Sequence, residues 1–337
     1  MRTVLILNPT SGASTLAQHQ EAPENNEEQI LAALRTYDIE PEVHYTTLED
    51  AGNGPARQAA EEGADIVIAA GGDGTLHAVA SALIGTNSAL GIIPMGTMNN
   101  IARSLRIPEN IEEACAIIAH GVTQRIDVGK INEHIFLEVA GIGIEAALFP
   151  SAEEIKSSGW RSTIQGVFNG LATLFDFRPT RFAVSFDGWR IRRFSGLQIS
   201  ICNSPYYGAR LQFAPNAVMD DGFLDVLIYK NFSKFAYIRH AISISQGQRA
   251  LALKVTQRKV KTVRVRALQP VPIHADGVPK GNTPADITIE PGALRVRVPE
   301  RVATGPNVVS PEKQQTQRYQ KARSNTILGE RGPLHVK

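Results

Sequence analysis

The chain has 337 residues, which is more than one hydrophobic core usually serves, so two domains are expected. With 43% hydrophobic and 20% charged residues, its composition is that of a globular protein and excludes disorder over the whole length. Because 35 Lys and Arg stand against 33 Asp and Glu, the net charge is only +2, which gives no basis for a nucleic-acid partner.

The two cysteines and the start of the chain bear on the compartment. Cys115 and Cys202 lie in apolar segments without metal-ligand spacing, which predicts buried free thiols and a reducing, cytoplasmic location. The chain opens on a strand-like apolar run at residues 3–7 without the pattern of a secretory leader, which also favours the cytoplasm. No uncharged apolar run approaches the ~20 residues that span a bilayer, so we expect any membrane contact to be peripheral.

The first third of the chain alternates short β-branched runs with helical patterns, as a parallel sheet covered by helices does. The predicted strands are residues 4–7, 43–46, 66–70 and 91–93, and the predicted helices are 27–35, 55–62, 76–83 and one from about Asn99. A later helix carries its own signals, because Asn110 precedes Glu113 in capping-box fashion and Gly121 follows the last helical residue.

From about Arg125 the pattern changes to strands and tight turns, which is typical of a β-sandwich. The predicted strands are residues 136–139, 182–186, 191–194, 197–201, 224–228 and 260–265, and the predicted helices are 153–175 and 235–246. Asp187 and Gly188 predict a two-residue hairpin turn, because both residue types accept positive φ angles. The fold class is therefore α/β plus β, with an α/β nucleotide-binding domain at 1–125, a β-sandwich domain at 126–302 and a mobile polar tail at 303–337.

The residues with the clearest chemistry lie where the third predicted strand runs into a helix. Gly71, Gly72 and Gly74 would let the backbone approach a phosphate chain, and the helix that follows offers unpaired N–H groups. Asp73 is a candidate ligand for magnesium or for a phosphate-bound water, and Thr75 could cap the helix or donate its hydroxyl to a phosphate. A glycine-rich turn without a ligand would look the same, so the cluster alone leaves both interpretations open.

Two similar turns follow other predicted strands, at residues 8–12 and 94–100. Ligands of open parallel sheets bind at the carboxyl ends of the strands. Three such loops are therefore expected to converge on one crevice that holds a polyphosphate.

Together these segments resemble the diacylglycerol kinase catalytic-domain family, which includes bacterial soluble lipid kinases and sphingosine kinases. The motifs stand in family order and span about residues 3–300, whereas NAD kinases share only the glycine loop. The matching segments are 8–12, 71–75, 96–103, 136–143, 203–208, 214–217 and 220–226.

The resemblance implies an ATP site between an NAD kinase-like α/β domain and a lipid-binding β-sandwich. The implied nucleotide contacts are Asn8, Thr46, Gly71, Gly72, Asp73, Gly74, Thr75, Leu76, His77, Gly96, Thr97 and Asn99. The resemblance also implies a structural magnesium site formed by Asp221 and the carbonyls of Val218 and Phe223. An aspartate-rich loop held by its own hydrogen bonds is the alternative for that turn.

The sequence departs from the family where the proton acceptor is expected. The family's Asp-Gly-Glu motif corresponds to Asp276-Gly277-Val278, and valine cannot take the proton from a lipid hydroxyl. Loss of such a base costs about 10²–10⁴ in rate, so catalysis would be weakened without being abolished. Asp73 and Asp276 remain the candidate catalytic carboxylates, while a structural hydrogen bond is the better interpretation of His274.

Two more family positions are altered, since His77-Ala78 replaces an Asn-Glu pair and Ala13 replaces a lysine. The preferred hypothesis is an ATP- and Mg²⁺-dependent kinase that phosphorylates a hydroxyl of a diacylglycerol-like lipid. A weakened or inactive homologue that binds nucleotide or lipid is the alternative, and an NAD kinase is less well supported.

The expected partners are a lipid substrate and a peripheral membrane surface, with no nucleic acid, and a homodimer is compatible with the sequence. The basic residues of 254–266 alternate with valines, which favours an ordinary solvated sheet face over a patch for anionic lipid.

Overall fold

The computed structural model describes residues 1–11, 23–147, 177–208, 211–230, 232–246 and 255–300. The predicted helix at 153–175, the predicted tail at 303–337 and Ala13 lie outside these residues. Residues 1–299 form one compact unit.

The first part of this unit is a parallel sheet covered by helices, as predicted. Its strands lie in the order β4-β3-β1-β2, and β1, β3 and β4 are buried along their whole length because helices cover the sheet. The strands are β1 (Thr3–Leu7), β2 (Glu42–Tyr45), β3 (Ile66–Gly71) and β4 (Ala89–Pro94). The helices are α1 (Pro23–Arg35), α2 (Asn53–Glu61), α3 (Asp73–Leu83), α4 (Asn100–Ser104) and α5 (Ile111–His120).

Helix α5 begins and ends at the residues that its sequence signals indicate. The side-chain oxygen of Asn110 accepts the backbone N–H of Glu113 at 2.9 Å, and Gly121 follows the last helical residue. The start is set by a local hydrogen bond, which explains why sequence alone could place it.

The second part is a β-sandwich-like arrangement of antiparallel strands, also as predicted. The predicted runs 191–194 and 197–201 belong to one continuous strand, β9. The elements are β5 (Val122–Ile131), β6 (His134–Phe136), β7 (Val139–Gly143), β8 (Thr180–Phe186), β9 (Arg192–Cys202), β10 (Tyr206–Tyr207), β11 (Leu211–Gln212), β12 (Leu224–Lys230), α6 (Lys234–Ser245), β13 (Val255–Val260), β14 (Thr262–Ala267), β15 (Pro272–Ala275), β16 (Val278–Asn282) and β17 (Ala285–Val298).

Strand β17 connects the two parts. It pairs antiparallel with β14 and β5 along most of its length, and near its end Val296 pairs parallel with Leu90 of β4. The chain therefore returns to the first sheet after building the second part. Residue 125 lies inside β5, and the domain bounds 1–125 and 126–302 stay a prediction.

The run at 136–139, expected as one strand, is broken after Phe136. The backbone N–H groups of Leu137, Glu138 and Val139 donate to the carboxylate of Asp276, at 2.7, 2.9 and 2.9 Å. A distant carboxylate thus takes N–H groups that would otherwise extend a strand ladder.

The run at 260–265 is broken at Lys261 for the same reason. The N–H groups of Lys261 and Thr262 donate to one oxygen of Asp187, at 2.8 and 2.9 Å. Asp187 and Gly188 have φ angles of 49° and 75°, which confirms the predicted hairpin turn.

Both cysteines are free and buried, as predicted. Burial, with a smaller contribution from Glu112, raises the pKa of Cys115 to about 12. Among the helices in the described part of the chain, none combines the length and the apolar character needed to cross a bilayer.

Candidate active site

Three loops follow β1, β3 and β4 at one edge of the parallel sheet, and we call them the sheet loops (residues 8–11, 71–75 and 95–99). Asn8 N donates to Ala70 O and Met95 N donates to Gly71 O, each at 2.9 Å. These bonds continue the parallel ladders beyond the strands. The convergence expected from the strand order is therefore present.

The second and third loops touch through two glycines. A Cβ built on Gly96 would lie 2.6 Å from Gly72 Cα, and one built on Gly72 would lie 3.3 Å from Gly96 Cα. Gly71 is similarly restricted, since a Cβ there would lie 2.7 Å from Thr75 Cβ. The glycines thus allow two backbone segments to meet at one point, and any added side chain would push them apart.

The first loop is joined to the second by the side chain of Asn8. Its Nδ2 donates to Thr75 Oγ1 at 3.2 Å, while its Oδ1 accepts the N–H and the hydroxyl of Thr10 at 3.0 and 2.8 Å. Thr75 is buried. Asn8 therefore fixes the first loop against the start of α3.

The N-terminus of α3 points its first N–H groups into this region. Gly72 is the N-cap residue, and within the described residues no side chain caps the helix. Gly74 is exposed there, and a Cβ added to it would meet nothing within 4 Å. Uncapped N–H groups and the helix dipole favour a bound anion at this position. Leu76 differs from its neighbours, because its side chain lies in the hydrophobic core.

The third loop is closed by Asn99, which adopts a left-handed conformation with φ of 51°. Its Oδ1 accepts Gly96 N at 2.9 Å and its Nδ2 donates to Gly96 O at 2.7 Å. Thr97 lies exposed at the tip of the loop. Thr46 lies one strand further out at the same edge, where its N–H donates to Leu7 O at 2.9 Å.

Asp73 is turned toward the start of α4. Its two carboxylate oxygens accept the N–H groups of Asn100 and Ile101, each at 3.2 Å. Burial raises the pKa of Asp73 above its usual range, the two N–H groups offset part of that effect, and the Asp276 carboxylate adds to it. Asp73 therefore joins the second loop to the start of α4, the helix that follows the third loop.

Asp276 lies in a tight turn between β15 and β16, and we call residues 276–278 the Asp276 turn. Asp276 and Gly277 have φ angles of 44° and 84°, as a two-residue hairpin requires. The carboxylate that accepts three N–H groups of residues 137–139 also lies 3.6 Å from His77 Nε2 on α3. The turn therefore meets α3, two residues beyond the second sheet loop, through His77. Val278, next in the turn, is 51% exposed and offers no acceptor.

Behind the Asp276 turn lies a cluster of buried polar side chains. Glu145 Oε2 accepts Ser200 Oγ at 2.9 Å and also accepts Gln198 Nε2, and His274 Nε2 lies 3.8 Å away. The Tyr207 ring stacks on His274 with centroids 5.6 Å apart. Burial, then the charge of Glu145, raises the pKa of Tyr207 well above its usual range. Because His274 is fully buried in this cluster, its contacts support the structural role predicted for it.

Four buried polar residues that connect the two parts of the site were not singled out from sequence. Asn100 Nδ2 donates to Glu138 Oε2 at 3.1 Å, Glu138 O accepts Asn203 N at 2.9 Å, and Asn203 Nδ2 donates to Asp127 O at 2.9 Å. Asn100, Glu138 and Asn203 stand within motifs of the family resemblance, but the resemblance assigns them no role. Their partners lie 38 to 76 positions away, so no local pattern could identify the contacts.

The residues expected to hold a structural magnesium ion lie near the start of β12. One oxygen of Asp221 accepts Phe223 N at 3.0 Å, and the other contacts Lys259 Nζ. Val218 and Phe223 are partly exposed, with 41% and 37% of their surface accessible. The ammonium of Lys259 stands where a divalent ion would approach Asp221, so the carboxylate that the resemblance assigns to the ion, together with the carbonyls of Val218 and Phe223, is already paired with a cation.

Cavities occur both at the sheet loops and away from them. One of about 130 Å³ is lined by Leu7, Asn8, Pro9, Ser11, Asn26, Glu27 and Met95. A larger one, of about 840 Å³, lies around Trp189 at the far end of β9. That end of β9 is ten residues, or ~30 Å at ~3.3 Å per residue, from Cys202, which precedes Asn203 of the candidate site. Of these two sides, the described residues place the N-terminus of α3 and the glycine contacts at that of the smaller cavity.

The amino-acid sequence matches two families of known proteins. The family described as "Diacylglycerol kinase catalytic domain" matches residues 2–131. The family described as "YegS C-terminal NAD kinase beta sandwich-like domain" matches residues 138–298. Between them they cover both parts of the fold.

Individual relatives match most of the length of the chain. A protein named diacylglycerol kinase from Bacillus subtilis (strain 168) is 29% identical over 293 residues, covering 85% of this chain and 92% of the relative. One of the same name from Staphylococcus aureus (strain bovine RF122 / ET3-1) is 29% identical, covering 85% and 88%. A crystal structure of a diacylglycerol kinase from Bacillus anthracis str. Sterne superposes with a TM-score of 0.69 at 21% identity, covering 89% of this chain and 97% of that one.

Proposed function

The chain belongs to the diacylglycerol kinase catalytic-domain family, and from this membership we propose that it is an ATP-dependent lipid kinase. It would transfer the γ-phosphate of ATP to a hydroxyl group of a diacylglycerol-like lipid. The observation that supports this most is the meeting of the three sheet loops, where Gly72 contacts Gly96 and Asn8 contacts Thr75.

The sheet loops are suited to a triphosphate because they offer backbone N–H groups rather than charged side chains. The first turn of α3 supplies N–H groups and a helix dipole, and Thr97 adds an exposed hydroxyl at the third loop. Thr46 and Leu7 lie at the outer side of the same edge, where the nucleoside would extend. Phosphoryl transfer depends mainly on such positioning and on charge stabilisation.

Magnesium is proposed here as the ion that arrives with ATP. Asp73 and Asp276 are the carboxylates that would face it, and hard carboxylate oxygens suit Mg²⁺. Burial, with a smaller contribution from the Asp276 carboxylate, raises the pKa of Asp73, and a divalent cation nearby would favour the charged form of both carboxylates. The ion would supply charge neutralisation for the phosphates. Since both carboxylates accept backbone N–H groups, we assign them orientation of the nucleotide rather than removal of a proton.

The lipid would approach from the Asp276 turn, which lies next to α3 through His77. A lipid substrate, a peripheral contact with the membrane and a homodimer remain proposals. The basic residues of 254–266 include two arginines that pair with Asp286. Its Oδ1 lies 3.3 Å from Arg266 Nη1 and 3.7 Å from Arg264 Nε, which supports an ordinary charged sheet face.

A second function, binding of nucleotide or lipid without turnover, is favoured by one observation. The only carboxylate left in the family's Asp-Gly-Glu motif is Asp276, and it is held by three backbone N–H groups. Val278 cannot replace the missing base. The two functions share the nucleotide site and differ only in transfer.

The test is incubation of the purified protein with labelled ATP, Mg²⁺ and a mixed lipid extract, followed by extraction of the lipids. We expect label in the lipid fraction, and about 10²-fold less with a Gly96→Ala variant purified in the same way. Nucleotide-dependent thermal stabilisation without transfer would favour the binding protein. Label transferred to NAD would contradict the lipid kinase.

A further inference from the structure

The turn that leads into β12, at Val218–Phe223, contains the residues that the family resemblance assigns to a magnesium ion. Here both carboxylate oxygens of Asp221 are already bonded to other groups of the protein. Oδ1 accepts Phe223 N at 3.0 Å, and Oδ2 contacts the ammonium of Lys259. A divalent ion at this carboxylate would have to displace the lysine.

Lys259 reaches the turn because of the register between β12 and β13. Lys259 and Asp225 are directly paired residues in this antiparallel pair, so their side chains stand on the same face. Lys259 Nζ lies 3.2 Å from Asp225 Oδ2 and therefore bridges two carboxylates. Gln257, two residues earlier on the same face, donates to Asp225 Oδ1 at 2.9 Å.

Asp225 gives the lysine an energetic role. Its side chain is 1% exposed, and a buried carboxylate without a compensating cation is strongly unfavourable. Lys259 is the cation within reach among the described residues. Lys259 therefore serves as the counter-charge of a buried carboxylate as well as the partner of Asp221.

The turn is connected to the candidate active site. Gly222, with φ of 73°, donates its N–H to Asp127 Oδ2 at 2.7 Å. Asp127 O accepts Asn203 Nδ2, and Asn203 N donates to Glu138 O, each at 2.9 Å. A series of hydrogen bonds thus connects the turn to the buried polar residues between the two parts of the fold.

We propose that the ammonium of Lys259 replaces the divalent cation at the Val218–Phe223 turn, so that this turn is held without a bound metal ion. The fold then requires no Mg²⁺, and any Mg²⁺ that the protein uses arrives with a nucleotide. This inference does not depend on the proposed kinase activity, because it concerns the protein without nucleotide.

The test is the melting temperature of the nucleotide-free protein in excess EDTA and in excess Mg²⁺. We expect the same Tm in both for the natural chain. Lys259→Met should lower the Tm in EDTA by roughly 2–6 °C, because it leaves Asp225 buried without its cation. Lys261→Met is the matched control, since Lys261 lies over the Phe223 ring at 5.2 Å, beside the same turn, and should have a much smaller effect.

A second measurement uses Mn²⁺, a paramagnetic substitute for Mg²⁺. In the absence of nucleotide, Lys259→Met should bind one Mn²⁺ more than the natural chain, and added Mg²⁺ should restore part of its lost Tm. If Lys259→Met fails to fold, Lys259→Arg keeps the charge and should remain insensitive to EDTA.

Three results would overturn the proposal. They are a fall in the Tm of the natural chain in EDTA, equal Tm values for Lys259→Met and Lys261→Met, and a loss of Tm in Lys259→Met that Mg²⁺ does not restore.

Discussion

The sheet loops and the Asp276 turn face each other across the site but are built differently. The second and third sheet loops meet through backbone atoms at Gly72 and Gly96, although the side chains of Asn8 and Asp73 add hydrogen bonds around that contact. The Asp276 turn is instead held by side chains, since one carboxylate binds three N–H groups and a buried polar cluster lies behind it.

The difference shows which changes each region tolerates. A site made of backbone depends little on neighbouring side chains, but any added Cβ at the glycine contact would disrupt it. A site made of side chains would lose its chemistry with a single substitution, as proposed for Val278, while its frame persists. We therefore predict a binding region that is intact beside an acceptor region that lacks one group.

The largest effect is expected from restoring that group with Val278→Glu. Because Val278 is half exposed at the start of β16, glutamate can be added without burying a charge. A correctly placed base contributes about 10²–10⁴ in rate, so phosphate transfer to lipid should rise within that range. Val278→Gln is the control, since it has the same shape but no basic oxygen. Equal rates for the two variants would show that the acceptor region lacks more than a base.

The next largest effect, a loss of transfer rate and of ATP binding, is expected from Gly96→Ala at the backbone contact. Its Cβ would lie 2.6 Å from Gly72 Cα and 2.9 Å from Asn99 Oδ1, so the second and third loops must separate. A displacement of about 1 Å can cost about 10² in rate, and stabilisation by ATP should fall with it. In Gly74→Ala the new Cβ meets nothing within 4 Å, so the nucleotide-free Tm should be unchanged. Normal ATP binding by Gly96→Ala would refute the glycine contact as a requirement.

A smaller effect is expected from Asp276→Asn. The amide keeps one acceptor oxygen and turns an N–H₂ group toward backbone N–H donors, so at least one of them loses its partner. A buried unsatisfied group costs about 1–3 kcal/mol, which urea unfolding would detect. Asp286→Asn is the control, because that carboxylate is 53% exposed on β17 and should change stability little. Equal stabilities would mean that the Asp276 turn is held by other contacts.

The smallest effect concerns the pH dependence of Asp73→Asn. The pKa of Asp73 is raised in the folded protein, chiefly by burial, so the folded state holds this proton more tightly than the unfolded chain does. Asp73 therefore adds stability below its unfolded pKa, and that contribution is lost as the pH rises through the folded pKa. The Tm of the natural chain should fall relative to Asp73→Asn as the pH increases above about 3.8. A constant difference between the two melting curves would contradict the raised pKa.

Most of the fold followed from local sequence signals. The alternation of strands and helices, the Asn110 cap, the Asp187-Gly188 turn and the three loops all depend on residues a few positions apart. Parallel strands necessarily place their carboxyl ends together, which is why three separate motifs could be assigned to one edge.

What sequence could not supply were contacts made by carboxylates over long separations. Asp276 ends the strand at Phe136 from 139 positions away, and Asp187 interrupts the run at Lys261 from 74 positions away. Lys259 reaches the Val218–Phe223 turn because of the register between β12 and β13, and no sequence motif encodes that register. Each depends on which strands are neighbours, and that order is set by the whole fold.

The most direct test is a crystal structure with an ATP analogue that cannot be hydrolysed. We predict the triphosphate against the first turn of α3, between the first and third sheet loops, with Gly72 and Gly96 still in contact. A triphosphate bound elsewhere, for example at the arginine-lined cavity near Trp189, would contradict it.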